Sequence, residues 1–392
     1  MFKTGNSSPP LKVALVHDWL TGMRGGERCL EALCELFPDA PIYTLVHVKG
    51  SVSESIERHS IIPSSLNLIP KVGQFYRYLL PLFPSAIQSF EFDRFDLILS
   101  SSHCVAKGIR VPEGTCHISY VHTPMRYIWD VHEQYFGGAT LFSFQNMGMA
   151  IFRKRLQQWD VQSNVHVHGF IANSSNVAER IKQHYGRDAS VVHPPVEWHA
   201  FETSECDEAF YLMVTAFAPY KRVDLAIKAA NALRIPLKII GKGQEEKRLK
   251  RLAGPTVEFL GWQCDERVRG LYRRCRAVLF PGEEDFGIVP LEAMASGKPV
   301  IAYGKGGVLE TVVPLNARAS IQDESPPTGV FFYEQTAESL SQAIHSFETY
   351  HHKFNPKNIR AHVEVFDRKH FKERIHQVIM TNYSQFHQLH LC

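Results

Sequence analysis

The sequence predicts an α/β protein built from two doubly wound domains that face each other across a cleft. Three observations carry this expectation. With 392 residues the chain exceeds what one hydrophobic core usually organises, so two domains are the natural division. Short runs rich in branched apolar residues recur, bounded by glycine, proline or polar turns, as strands buried on both faces of a parallel sheet require. Stretches with apolar residues at helical spacing lie between those runs, and the alternation restarts after one polar, irregular segment.

The first strand is expected at residues 12–17, KVALVH. A glycine-bearing turn follows. Residues 27–37 then carry Cys29, Leu30, Leu33, Leu36 and Phe37 at helical spacing, and Pro38 stops the helix. Further strands are expected at 41–46, 96–100, 117–121 and 169–172, with helices at 151–165 and 175–184. After the Pro194–Pro195 pair the chain turns polar over 196–208, the candidate linker. Strands are expected again at 210–214, 237–240, 257–260, 277–280 and 299–302, with helices beginning near Arg222, Gln244, Asp265, Ile288 and Val308. From about Pro356 two final helices follow, carrying Phe366 and Phe371. In such sheets ligands sit beyond the carboxyl ends of the strands, so the functional residues belong to the loops that follow them.

Composition removes several classes of function. A formal charge of only +3 lacks the basic signature of a protein that lives on nucleic-acid phosphates. The longest mixed apolar stretch, 66–92, is interrupted by Lys71, Arg77 and prolines, so it supplies no uninterrupted span of about 20 apolar residues. Within it, 71–92 interleaves aromatic, aliphatic and basic residues. That pattern fits either an interfacial segment beside anionic lipid or a buried core helix. The first ten residues, MFKTGNSSPP, lack an apolar central region and read as a loose tail, which makes the cytoplasm the expected location. The eight cysteines form no C-x-x-C pair, so they are expected to be reduced and structural. The histidines, including His166, His168, His351 and His352, form no H-E-x-x-H, and no Asp-x-Asp occurs. Neither a metal nor a cofactor is expected.

Residues 280–300, FPGEEDFGIVPLEAMASGKPV, carry the most chemistry. A strand end, an acidic loop with Gly287 and a helix start follow one another there. Backbone N–H groups near Phe286, Gly287 and Ile288 would therefore point at the cleft, a setting that suits a diphosphate. Glu284 in the loop and Glu292 on the helix can each accept two hydroxyl hydrogen bonds, one from a hexose and one from a ribose. The alternative is that Glu283, Glu284 and Asp285 only complement the helix dipole and Glu292 is a solvated residue. Gly25 and Gly26 after the first strand would let backbone approach a phosphate or an acceptor, or form a plain turn. Gly241-Lys242-Gly243 is half a dinucleotide fingerprint without its third glycine, which argues against an NAD-dependent enzyme or epimerase and for part of a nucleoside pocket.

The run E-D-F-G-I-V-P-L-E followed by A-x-A-S-G-x-P-V-I resembles the E-x7-E signature of retaining GT-B glycosyltransferases, specifically glycosyltransferase family 4. The resemblance extends to A-P-Y-K-R-V-D-L-A-I at 218–227, G-K-G at 241–243, V-E-F-L-G at 257–261 and G-G-V-L-E-T-V at 306–312. In the front half, G-G-E at 25–27 and S-Y-V-H-T-P-M-R-Y-I-W-D at 119–130 are similar to bacterial mannosyltransferases that build O-antigens and other surface polysaccharides.

The resemblance implies a GT-B fold with a first domain at 11–200, a nucleotide-sugar-binding domain at 207–365 and a last helix, about 367–392, that crosses back onto the first domain. It implies that Glu284 binds donor hexose hydroxyls, that Glu292 binds ribose, and that Phe286, Gly287 and Ile288 contact sugar and phosphate through their backbone. Lys221 matches the cation that neutralises the donor diphosphate, whose charge grows in the transition state. The arginine that many relatives carry five residues earlier is Ala216 here, and Arg222 is the nearest substitute. His122 matches the front-domain histidine placed near the reacting carbon, and the acceptor is expected beside Gly25, Gly26, His122 and Arg126. The implied reaction is transfer of a hexose, mannose from GDP-mannose, to a glycan or lipid-linked acceptor, without metal and with retention, in the cytoplasm or peripherally on the inner face of the membrane. Ala216 motivates the alternative of a sugar-nucleotide-binding or scaffold protein without turnover.

Overall fold

The computed structural model describes residues 11–129, 144–315 and 326–390. The expected tail at 1–10, Asp130 of the front motif and residues 391–392, with Cys392, lie outside the described residues. Two parallel sheets organise the chain. The first contains β1 (Val13–His17), β2 (Ile42–Thr44), β3 (Ile61–Pro63), β4 (Leu97–Ser102), β5 (Cys116–Val121), β6 (Gly169–Ala172) and β7 (Ser190–Val191), in the order β3-β2-β1-β4-β5-β6-β7. The second contains β8 (Tyr211–Val214), β9 (Leu237–Ile240), β10 (Val257–Gly261), β11 (Ala277–Phe280), β12 (Val300–Tyr303) and β13 (Gly329–Phe332), in the order β10-β9-β8-β11-β12-β13. Strand order reverses between β1 and β4 and again between β8 and β11. A crevice opens at such a reversal, beyond the carboxyl ends of the strands. The loops after these four strands therefore form the facing walls of the cleft.

The central strands β1, β4 and β5 are buried along their whole length, which explains their continuous apolar or small-residue sequences. One charge sits among them. Asp18, fully buried after β1, accepts hydrogen bonds from the backbone N–H groups of His103, Cys104, Val105 and Ala106 at 2.7–3.0 Å. Its carboxylate replaces the missing sheet partners of the loop after β4 and so holds His103 at the cleft edge.

The final helix, Arg368–His390, returns to the first domain. Phe371, Ile375, Ile379 and Phe386 are buried against the core built on β1, β4 and β5. Arg368 anchors the crossing, with Glu31 at 2.9 Å, Glu35 at 2.7 Å and Glu197 at 2.5 Å. Residues 71–92 form short helical turns rather than one helix, because Pro81 and Pro84 interrupt the backbone hydrogen bonding. Val72, Tyr76, Phe83 and Ile87 are buried, and Trp19 packs on Tyr76 and Phe83. Tyr78 and Leu82 of the same segment face outward. Among the described residues, no helix is long and apolar enough to cross a membrane. The described cysteines are all free thiols, and five of the seven are buried.

Two differences from the sequence reading stand out. The helix expected near Val308 is a single 3-10 turn, Gly307–Glu310. Gly306 is left-handed at φ 80°, and Gly307 donates its N–H to the Glu284 carbonyl at 2.9 Å. A Cβ on either glycine would collide with the backbone of Glu284 or Asp285, so the segment serves as a close-packed brace for the acidic loop. The strands β3, β7 and β13 were not expected. All three are edge strands, and β3 and β7, at three and two residues, are too short for a period to show, whereas β13 is as long as strands that were expected.

Candidate active site

The second-domain wall begins after β8. Pro219–Lys221 is one 3-10 turn, and Arg222 takes a left-handed conformation at φ 51° before the helix Val223–Leu233. That kink sends the two neighbouring cations in different directions. Lys221 places Nζ 2.5 Å from Glu284 Oε1. Arg222 instead reaches Asp224 at 3.2 Å and Gln335 at 3.3 Å, away from the Glu284 side. Gly282, after β11, lets the acidic loop lie on Tyr220 and Lys221; a Cβ there would stand 2.9 Å from the Tyr220 carbonyl oxygen.

Beyond Glu284 the chain turns through Gly287, left-handed at φ 88°, which caps the helix Ile288–Ala295. The helix tip carries Ile288 toward the first domain. Phe286 is buried and stacks on His193 with ring centres 5.4 Å apart. Glu292, one turn further along, is turned into the protein and accepts a hydrogen bond from Tyr272 Oη at 2.9 Å. Burial pushes its carboxyl up to about 7, more than the Tyr272 bond lowers it.

The first-domain wall starts at the helix Gly25–Leu36. A Cβ on Gly25 would lie 2.7 Å from Ile288 Cδ1, and one on Gly26 would lie 3.6 Å from His122 Nε2. Gly25 therefore lets this helix start approach the opposing domain, while Gly26 lies in ordinary contact with the histidine. His122, just past β5, holds Ser101 Oγ at 2.8 Å, and Ser101 in turn holds His17 Nδ1 at 3.1 Å. Burial, reinforced by the adjacent His103 and His17, keeps His122 well below the usual imidazole range and hence neutral at pH 7.

The walls enclose a cavity of about 350 Å³. Gly25, Gly26, His122, Arg126, Lys221, Glu284, Phe286, Gly287 and Ile288 all line it, so nine of the residues singled out from sequence converge. Arg222 and Glu292 do not line it. Trp19, Glu27, His103, Tyr220 and Asp285 also line the cavity and were not singled out. Glu27 had a visible signal in G-G-E, whereas His103 is positioned by the remote Asp18 and had none. Arg126 reaches the cavity with its guanidinium held by Asp285 Oδ2 at 2.7 Å and over the Tyr220 ring at 5.5 Å. Among the described residues, no group of three or more His, Cys, Asp or Glu is arranged to hold a metal ion.

The half-buried Glu292 makes stability depend on pH. Its folded-state value of about 7 lies above the ordinary 4.5, so the fold favours the protonated form. The associated stability is present below pH 4.5 and is lost as pH rises through about 7. Glu292→Gln keeps an acceptor for Tyr272 and removes the ionisation. Thermal unfolding from pH 5 to pH 8 is expected to show the variant gaining on the wild type as pH rises. Parallel curves would remove the assignment of a proton-binding Glu292.

Residues 196–364 match the family model described as glycosyl transferases group 1. A 100-residue segment is 36% identical to O-antigen chain mannosyltransferase C of Escherichia coli, covering 24% of this chain and 27% of that protein. The matched segments span only 33% and 27% of the length of two curated relatives, an uncharacterized glycosyltransferase of Methanocaldococcus jannaschii and the E. coli protein. Among solved structures, sucrose-phosphate synthase from Thermosynechococcus elongatus is similar with a TM-score of 0.71 and 19% identity, over 96% of this chain and 100% of that one. Anabaena HepE, solved in complex with UDP and glucose, gives a TM-score of 0.67 at 17% identity, over 94% of this chain and 99% of that one. The fold is GT-B: two Rossmann-like domains with the last helix crossing back to the first.

Proposed function

We propose, from a GT-B fold whose second domain carries the group 1 glycosyl transferase match, that the protein is a retaining, metal-independent glycosyltransferase. It moves a hexose, mannose from GDP-mannose, onto a glycan or lipid-linked acceptor during surface polysaccharide synthesis. The observation that supports this most is the convergence of Lys221, Glu284 and the Gly287-capped helix tip on one side of a cavity with His122 on the other.

The donor diphosphate lies at the helix tip, where the first amides lack intrahelical partners and the dipole favours negative charge. During transfer the bond between the anomeric carbon and the phosphate oxygen breaks, a bond from that carbon to the acceptor hydroxyl oxygen forms, and the hydroxyl proton passes to the departing diphosphate. The leaving nucleoside diphosphate gains negative charge, which Lys221 stabilises. Glu284 accepts hydrogen bonds from hexose hydroxyls and orients the ring. Gly25, Gly26 and the neutral His122 bound the acceptor side, where His122 offers a ring nitrogen without adding charge. The family resemblance assigns ribose hydroxyls to Glu292, which lies outside the cavity, so the nucleoside would have to extend beyond it. Ala216 leaves the diphosphate one cation short of the family pattern, and Arg222 points away from the cavity. The mannosyltransferase relatives support mannose as the sugar.

Melting curves in the presence of GDP, UDP and ADP sugars test the donor, because a ligand that binds only the native state raises the melting temperature. GDP-mannose is expected to give the largest rise, followed by transfer to a mannose-terminated lipid acceptor. A larger rise with a UDP or ADP sugar would replace the proposed donor. Tight GDP binding with no transfer would favour the second reading that Ala216 motivates, a sugar-nucleotide-binding protein without turnover.

A further inference from the structure

Asp285 directly follows Glu284, yet its side chain enters the opposite domain. Its Oδ2 accepts from Arg126 Nε at 2.7 Å. Its Oδ1 accepts from Arg180 Nη1 and, at 3.4 Å, from Asn176 Nδ2. Its carbonyl oxygen accepts from Ser174 Oγ at 2.6 Å. All four partners belong to the first domain: Arg126 follows β5, and Ser174 caps, and Asn176 and Arg180 lie on, the helix Ser175–Tyr185 that follows β6. Burial would raise the Asp285 carboxyl, but the two guanidinium groups outweigh it and hold it below the usual range.

The same contacts reach the reaction site. Asn173, next to Ser174, donates from Nδ2 to the His122 carbonyl at 2.9 Å. A second carboxylate from the second domain, Glu310, grips the same helix start through the N–H groups of Ser175 at 2.8 Å and Asn176 at 3.1 Å. On the far side of Asp285 lies another cavity of about 660 Å³, and both cavities share Arg126, Tyr220 and Asp285 as lining. This cluster therefore forms a partition inside the cleft, with charges from both domains.

We propose that Asp285 is a positioning residue that latches the two domains together and thereby sets His122 against Lys221 and Glu284, without contacting the donor. The proposal rests on the transferase reading above. With the latch weakened the cleft spends more time open, and water competes with the acceptor for the anomeric carbon. In that side reaction a water oxygen bonds to the anomeric carbon, the bond to the phosphate oxygen breaks, the diphosphate leaves and the water proton passes to solvent.

Asp285→Asn keeps the side-chain size and removes the charge that attracts both arginines. The expected result is a roughly tenfold lower kcat with donor KM within about twofold. The share of donor lost to hydrolysis should rise severalfold, and small-angle scattering should give a larger radius of gyration. Arg180→Gln weakens the same contact from the other side and carries the test if Asp285→Asn does not fold. An unchanged radius of gyration in the folded variants would overturn the latch, and an unchanged ratio of hydrolysis to transfer would overturn its positioning role. Scattering needs no substrate, so a wild-type protein that transfers nothing would defeat the transferase reading while the latch was still judged on its own.

Discussion

Replacing Glu284 by alanine is expected to lower sugar transfer about a thousandfold while leaving the fold intact, the upper range for removing one preorganised polar contact from a reacting group. The structure separates the two effects. The Glu284 side chain is 21% exposed and its described ion-pair partner is Lys221, so little of the core depends on it. Its backbone is held independently, because the carbonyl accepts from Gly307 N and the residue bridges to Gly306. Initial rates with GDP-mannose and acceptor, read beside melting curves, check the prediction. A variant that melts like the wild type and still transfers at a near-normal rate would remove Glu284 from the proposed mechanism.

Lys221→Ala is expected to reduce kcat about a hundredfold, with a smaller change in donor KM. The reason is differential: a donor already bound carries most of its charge, and the extra charge appears as the bond to phosphate breaks. Alanine also leaves Glu284 without the ammonium 2.5 Å away, so one carboxylate would then face the diphosphate uncompensated. The two substitutions should therefore be non-additive, with the double variant losing less than the product of the single losses. Steady-state kinetics of the four proteins measures this coupling. Fully multiplicative losses would indicate that Lys221 and Glu284 act on the donor separately.

The predictions differ in how they became visible. Gly25, Gly26, Glu284 and Gly287 could be singled out from letters alone because each stands at a fixed offset from a strand end or a helix start, and covalent order carries that offset into space, whereas Lys221 came forward only through the family resemblance. Glu292 was equally visible as a letter. Its environment was not, because a side chain is buried by what packs over it, here Tyr272 twenty residues away. The left-handed turn that parts Arg222 from Lys221 was also hidden, since adjacent cations look alike until the backbone between them is known.

By itself, the sequence determined the alternation of buried strands and helices, the two-domain division and the residues at the strand ends, because strand and helix periods are local and repeat within a few residues. Only the tertiary structure decided which acid of Glu283-Glu284-Asp285 meets Lys221 and which crosses to the other domain. A loop has no period, and its side chains turn toward partners that the chain brings back from far away: Arg126 lies 159 residues from Asp285 in sequence and 2.7 Å from it in space.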